Sequence, residues 1–173
     1  MTNKKEKIVH TATELFANEG YNATSTNKIA KNAGVSEGLI FRHFRNKKGL
    51  LDHISKELDE KLTKKLMLIL RIQDPKLVIR KTIELPFLVD HNEYNYWKLQ
   101  YKLKWEKEYL YPIKIQPLID KLEWAFLQLN YQDPKNEAIL LRQLLDTVFL
   151  EILQNHIKST DLFKQFLLTK YKV

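Results

Sequence analysis

The chain is 173 residues long, 44% hydrophobic and 29% charged, a mixture that excludes wholesale disorder and suffices for one full core or for a small domain fused to a larger one. The absence of cysteine excludes disulfides, thiol catalysis and cysteine-zinc sites, and only four glycines and five prolines favour long helices over a turn-rich β architecture. The formal net charge is +8, and residues 1–55 carry as much of it as the longer remainder, so positive charge is denser at the N-terminal end.

The stretch Met1–Lys7 is polar with no apolar h-region behind it, and no run of about 18 apolar residues occurs. The expectation is a cytoplasmic protein with no membrane partner.

Ile8, Ala12, Leu15 and Phe16 recur at helical spacing and Gly20 follows as a stop, which predicts a first helix over about residues 4–18. Ser25 or Thr26 caps a short second helix carrying Ile29, Ala30 and Ala33, and Gly34 ends it in the left-handed conformation that a tight turn needs. Ser36 caps a third, Glu37 to about Phe44. Asn46 caps a fourth, where Leu50, Ile54, Leu58, Leu62, Leu66 and Ile69 keep one apolar stripe for about 25 residues, close to 37 Å.

Asp74-Pro75 reads as the cap and first-turn proline of a fifth helix, disturbed at its far end by Pro86. A sixth runs from near Tyr94 to Leu110, and Pro112 and Pro117 break the chain before a seventh that ends near Asn130. Asp133-Pro134 opens an eighth, to about Lys158, and Ser159 or Thr160 caps the last. The fold class is all-α, with about nine helices.

The span from Thr26 to Phe44 is helix, tight turn, helix, which suits DNA binding, although a generic helix hairpin shares the spacing. Val35 and Ile40 face the core, leaving Glu37, Gly38, Leu39, Arg42 and His43 on the other face of the third helix.

Three segments in residues 12–54 sharpen that reading: A-x-x-L-F-x-x-x-G-Y, then T-x-x-x-I-A-x-x-A-G-V-S, then G-x-I-F-x-H-F-x-N-K-x-x-L. With these gaps they resemble, almost position by position, the N-terminal domain of the tetracycline-repressor (TetR) family. The resemblance implies a ligand-responsive transcriptional regulator and not an enzyme, its partners being double-stranded operator DNA, a second copy of the chain and a small molecule. It implies a helix-turn-helix DNA-binding domain over 1–46 and a helical ligand-binding and dimerisation domain over 47–173, and the expected output is repression.

Within that frame Thr26, Asn27 and Ser36 stand where free backbone N–H groups grip phosphate oxygens, unless they act as caps alone. His43 and Lys47 match family positions that touch the DNA backbone, the alternative for Lys47 being a solvated surface lysine. Arg42 suits base readout, since a guanidinium pairs bidentately with guanine, or else a phosphate contact. Leu39 is placed to pack on a thymine methyl. Glu37 departs from the family's usual residues: phosphates repel a carboxylate unless it accepts from a cytosine amino group or pairs with a neighbour such as Lys28.

Trp97, Tyr101, Trp105 and Tyr109 recur every fourth residue. The resemblance implies an inducer pocket that Trp97, Tyr101 and Trp105 could wall; ordinary aromatic core is the alternative. Glu84 faces either a cationic ligand or solvent. The eighth helix, with Leu141, Leu144, Leu145, Val148, Phe149 and Ile152, is apolar around more than one face and so needs a second partner. With Phe163 and Phe166 of the last helix it answers to the family's four-helix dimer interface, or else to burial within one chain.

The rival classes are a helical enzyme and a membrane-surface adaptor. His10, His43, His53, His91 and His156 show no metal-binding spacing, and no phosphate loop or nucleophile elbow is present, so no catalytic residue, metal or cofactor is expected. The first helix lacks the large exposed apolar face an adaptor would require.

Overall fold

A computed structural model describes residues 4–103 and 115–173. Among the described residues it holds nine α-helices and no strand: α1 (Lys4–Glu19), α2 (Thr26–Ala33), α3 (Glu37–Phe44), α4 (Lys47–Leu70), α5 (Pro75–Glu84), α6 (Tyr94–Leu103), α7 (Gln116–Gln128), α8 (Pro134–Leu153) and α9 (Thr160–Tyr171).

Helix ends follow local chemistry. The Ser25 side chain accepts from the Lys28 N–H, and the Asp74 carboxylate from the N–H groups of Lys76 and Leu77. Asp133 does the same for Asn136. Each satisfies donors that no helical carbonyl can reach. Ser36 differs from its expected role: it occupies the N-cap position of α3, but its side chain makes no capping hydrogen bond.

The far end of α5 is disturbed at Pro86, as its position predicts. Pro86 does not kink α5; the chain tightens into a 3-10 turn, Leu85–Leu88, which tolerates a missing N–H. Pro117 lies inside the first turn of α7, where its ring is pre-set for a helix. Helix α8 stops at Leu153, short of the expected Lys158, because Asn155 turns left-handed and the His156 N–H reaches back to the Glu151 carbonyl. The expected end of the sixth helix near Leu110 lies outside the described residues.

Two compact units divide the chain, and neither is continuous in sequence: Met1–Lys61 with His91–Pro112, and Leu62–Asp90 with Ile113–Val173. In the first, α1 packs against α2, α3 and α6. Its core is one cluster in which Ile8, Ala12 and Phe16 of α1 meet Ile29, Ile40 and Leu50, all fully buried or nearly so. The Tyr21 ring closes one side, edge-on to Phe16 at 5.1 Å. Leu99 and Leu103 of α6 belong to the same cluster.

In the second unit α7 packs against α5 and α8, and α9 against α5. Phe126 is fully buried, with the Tyr131 ring 4.8 Å and the Tyr171 ring 6.0 Å from it. Burial, with the nearby Glu137 carboxylate, pushes both phenols above their ordinary titration range.

Candidate nucleic-acid interface

The turn between α2 and α3 is set by one residue. Gly34 sits at φ 65° and ψ 41°, its N–H bonded to the Lys31 carbonyl, while the Val35 N–H reaches the Ala30 carbonyl at 3.0 Å. A side chain at that dihedral pair is strained, whereas glycine adopts it freely. Helix α3 then leaves at an angle that sends Ile40 and Phe44 into the core.

That placement decides what the outer face presents. Gly38, Phe41, Arg42 and His43 are exposed, with open space around the Gly38 backbone. Leu39 departs from its expected position: it is half-buried and packs against the core cluster, which draws it partly away from the outer face. Phe41, 46% exposed, takes that place as the apolar group on α3. Its outward direction was implicit in the sequence, since a residue next to Ile40 points about 100° away from it on a helix.

The other candidates are held by specific partners. The Thr26 hydroxyl donates to the Glu37 carboxylate at 2.6 Å, and the Asn27 amide donates to it at 3.5 Å. Glu37 thus finds a neighbour, but not Lys28, whose ammonium pairs with Glu19 instead. The Lys47 ammonium donates to the carbonyls of Tyr21 and Thr24 at 3.0 and 3.1 Å and lies 4.4 Å from the centre of the Tyr21 ring. Lys47 therefore ties the α1–α2 loop to the start of α4.

A tight turn joins α3 to α4. Arg45 takes φ 67° and ψ −44°, and the Asn46 N–H bonds the Phe44 carbonyl at 2.8 Å, a three-residue γ-turn of the strained hand. Asn46 also caps α4, its side chain accepting from the Gly49 N–H at 2.7 Å. The turn closes this far because residue 49 is glycine: a Cβ there would lie 2.1 Å from the Phe44 carbonyl oxygen. Beside the turn is a shallow cleft of about 290 Å³ lined by Lys5, His43, Arg45, His53 and Lys56 around the single carboxylate of Asp52. Such a rim favours anions.

The described candidate ligand residues divide between the two units. Trp97 is 8% exposed and Tyr101 half-buried on α6, in the first unit. Glu84 belongs to the second unit, where its carboxylate pairs with Lys81 of the same helix at 2.8 Å. Trp105 lies outside the described residues.

Of the candidate dimer residues, Leu141, Leu145, Val148, Phe149 and Ile152 are buried within the single chain. Leu144 and Phe163 are half-buried and Phe166 is exposed. The large apolar side chains left in water on α8 and α9 are Leu140, Leu162 and Phe166.

A three-helix unit that buries one face of its last short helix and exposes an arginine, a histidine and a phenylalanine on the other has the build of a helix-turn-helix DNA-binding domain. Residues 8–54 match the family described as "Bacterial regulatory proteins, tetR family". The chain is 49% identical over 51 residues to an uncharacterized HTH-type transcriptional regulator, YvkB, of Bacillus subtilis, covering 30% of this chain and 26% of the relative. It is 46% identical over 48 residues to the HTH-type transcriptional regulator QacR of Staphylococcus aureus, covering 28% and 26%. The matched stretch thus spans about a quarter of these curated relatives.

Similarity of fold reaches further. A transcriptional regulator from Rhodococcus superposes with a TM-score of 0.72 at 18% identity, over 98% of this chain and 94% of that one. NalD, the secondary repressor of a multidrug efflux pump in Pseudomonas aeruginosa, superposes with a TM-score of 0.68 at 21% identity, over 97% and 93%. Residues 8–54 thus carry the sequence of the tetR family of bacterial regulatory proteins, and the rest of the chain shares the fold of these solved regulators.

Proposed function

We propose that the chain is a ligand-responsive, DNA-binding transcriptional regulator, a cytoplasmic homodimer without enzymatic activity that represses from a palindromic operator. The observation that carries this reading is the outer face of α3, where Gly38, Phe41, Arg42 and His43 stand clear of a fully formed core. Helix α3 enters the major groove, Arg42 reads a guanine edge, and Thr26, Asn27, Ser36, His43 and Lys47 meet the flanking phosphates. Among the described residues no helix is long and apolar enough to cross a membrane.

Selection of duplexes by the purified protein tests this directly. The expected consensus is an inverted repeat with half-sites about 34–36 Å apart or a multiple of that. Arg42→Ala should relax preference at one base step by about 1–3 kcal/mol, and wild-type-like discrimination by this variant would remove α3 from the recognition role.

Ligand response is assigned to α6 on the strength of its packing. Lys102 donates to the carbonyls of Ala17 and Asn18 at the end of α1, and Gln100 reaches Ser55 of α4 at 3.4 Å. Tyr96, its phenol hydrogen-bonded to Thr13 of α1, is pushed above its ordinary range by burial and by Glu57 and Glu93. A small molecule that displaces α6 therefore acts on α1 directly, beside any lever action of α4. Coupling of about 1–3 kcal/mol, or roughly 5- to 150-fold in operator affinity, is expected. By linkage the operator must weaken ligand binding by the same factor, so a candidate inducer titrated with and without saturating operator is rejected if its affinity does not change.

A further inference from the structure

Glu37 is the one acidic residue on α3, at the edge of a face otherwise supplied by Arg42, His43 and Arg45. Its carboxylate is half-buried and holds two groups of α2, the Thr26 hydroxyl and the Asn27 amide. Those are the groups that, on the DNA-binding reading, meet a phosphate. The next side chain of α2, Lys28, is likewise taken up by a carboxylate, that of Glu19. In the free protein the single Thr26 hydroxyl proton, one N–H of the Asn27 amide and the Lys28 ammonium are thus already directed at internal carboxylates.

We propose that Glu37 is a specificity-determining residue that acts by competition, its carboxylate occupying Thr26 and Asn27 until a base amino group in the major groove draws it away. A phosphate and the carboxylate cannot both accept from one hydroxyl proton, and the two anions repel each other at hydrogen-bonding separation. On arbitrary DNA the carboxylate keeps its partners, and the phosphate contact is lost. On a site offering a cytosine or adenine amino group opposite the first turn of α3, the carboxylate accepts from that group instead. Thr26 and Asn27 are then released to the backbone. Discrimination thus comes from a penalty on wrong sequences as well as a contact to the right one. This rests on α3 being the recognition helix.

The test measures binding to a random-sequence duplex and to a selected one over a range of salt, for wild type, Glu37→Gln and Glu37→Ala. Glu60→Gln, on the exposed side of α4, controls for a change of one unit in net charge. Glutamine retains an acceptor for Thr26 and removes the charge, so thermal melting should show a folded protein.

Glu37→Gln is expected to bind random duplex about tenfold more tightly, with a salt slope steeper by about one unit. Its preference for the selected sequence should shrink, and Glu60→Gln should stay within about twofold of wild type. Unchanged random-duplex affinity in both Glu37 variants overturns the proposal, as does equal tightening in Glu60→Gln. Weaker binding to every duplex also overturns it, by making Glu37 a simple attractive contact. Arg42→Ala separates the two levels: if it abolishes selection while Glu37→Gln changes nothing, the DNA-binding reading stands and the competition fails. If wild type retains no duplex at all, both fail.

Discussion

Phe16→Ala is expected to cost about 3–5 kcal/mol, a large share of the roughly 5–15 kcal/mol that holds a typical domain folded. Phe16 is fully buried in the cluster shared by α1, α2, α3 and the start of α4, and the edge of Tyr21 rests against its ring. Truncation leaves a void in a close-packed cluster that also holds the fully buried Ile8, Ile29 and Ile40. The loss would fall on the unit that presents Arg42 and His43, so duplex binding should fail at temperatures where the wild type still binds. Chemical denaturation monitored by circular dichroism checks the energy. A loss below about 1 kcal/mol would mean that Phe16 is not the keystone of this core.

The second large effect concerns assembly. Leu140→Glu combined with Phe166→Glu should convert a dimer to a soluble monomer, because these side chains are 55% and 59% exposed and contribute little to the interior of one chain. In the homodimer proposed above, the large apolar groups left in water on α8 and α9 are the ones a second copy would cover. Two charges placed there would each be desolvated without a partner in a dimer. With one recognition helix in place of two, affinity for an inverted repeat should fall by about 100-fold or more. Sedimentation and duplex binding measure both consequences. A dimer of unchanged mass, or a monomer that binds the full repeat as tightly as wild type, would move the interface elsewhere. Charging Phe149 would answer a different question, since it is buried within the chain and its replacement attacks folding itself.

The sequence alone was sufficient for the class of the fold and for most helix ends. A cap residue, a first-turn proline or a left-handed glycine acts within about four positions of chain, so Gly34, Asp74 and Asp133 declare themselves without tertiary context, and only the choice of Ser25 over Thr26 was left open. The core face of α3 was legible for the same reason, as a helix fixes the angle between Ile40 and Arg42 whatever surrounds it, but the outer face was read with Leu39 where Phe41 stands. Burial was legible too, but not the identity of what buries. The apolar faces of α8 required cover, and only the three-dimensional packing shows that Leu141, Leu145 and Ile152 are covered inside one chain while Leu140 is left outside.

Pairings across the chain were beyond the sequence. That Glu37 needed a partner follows from the cost of an unpaired carboxylate near phosphates, and Lys28 looked suitable by charge alone. The choice of Thr26 and Asn27 was made by the angle between α2 and α3, which the Gly34 turn sets and no pairwise rule of charge contains. The role of Gly49 was hidden for a related reason. Glycine in the first turn of α4 reads as a weak helix former, and only the closed γ-turn at Arg45 brings the Phe44 carbonyl to where a methyl group would stand. Local chemistry, acting over one helical turn, can be read from residue order; contacts between elements depend on where the chain has already gone, and that is decided by the packed core.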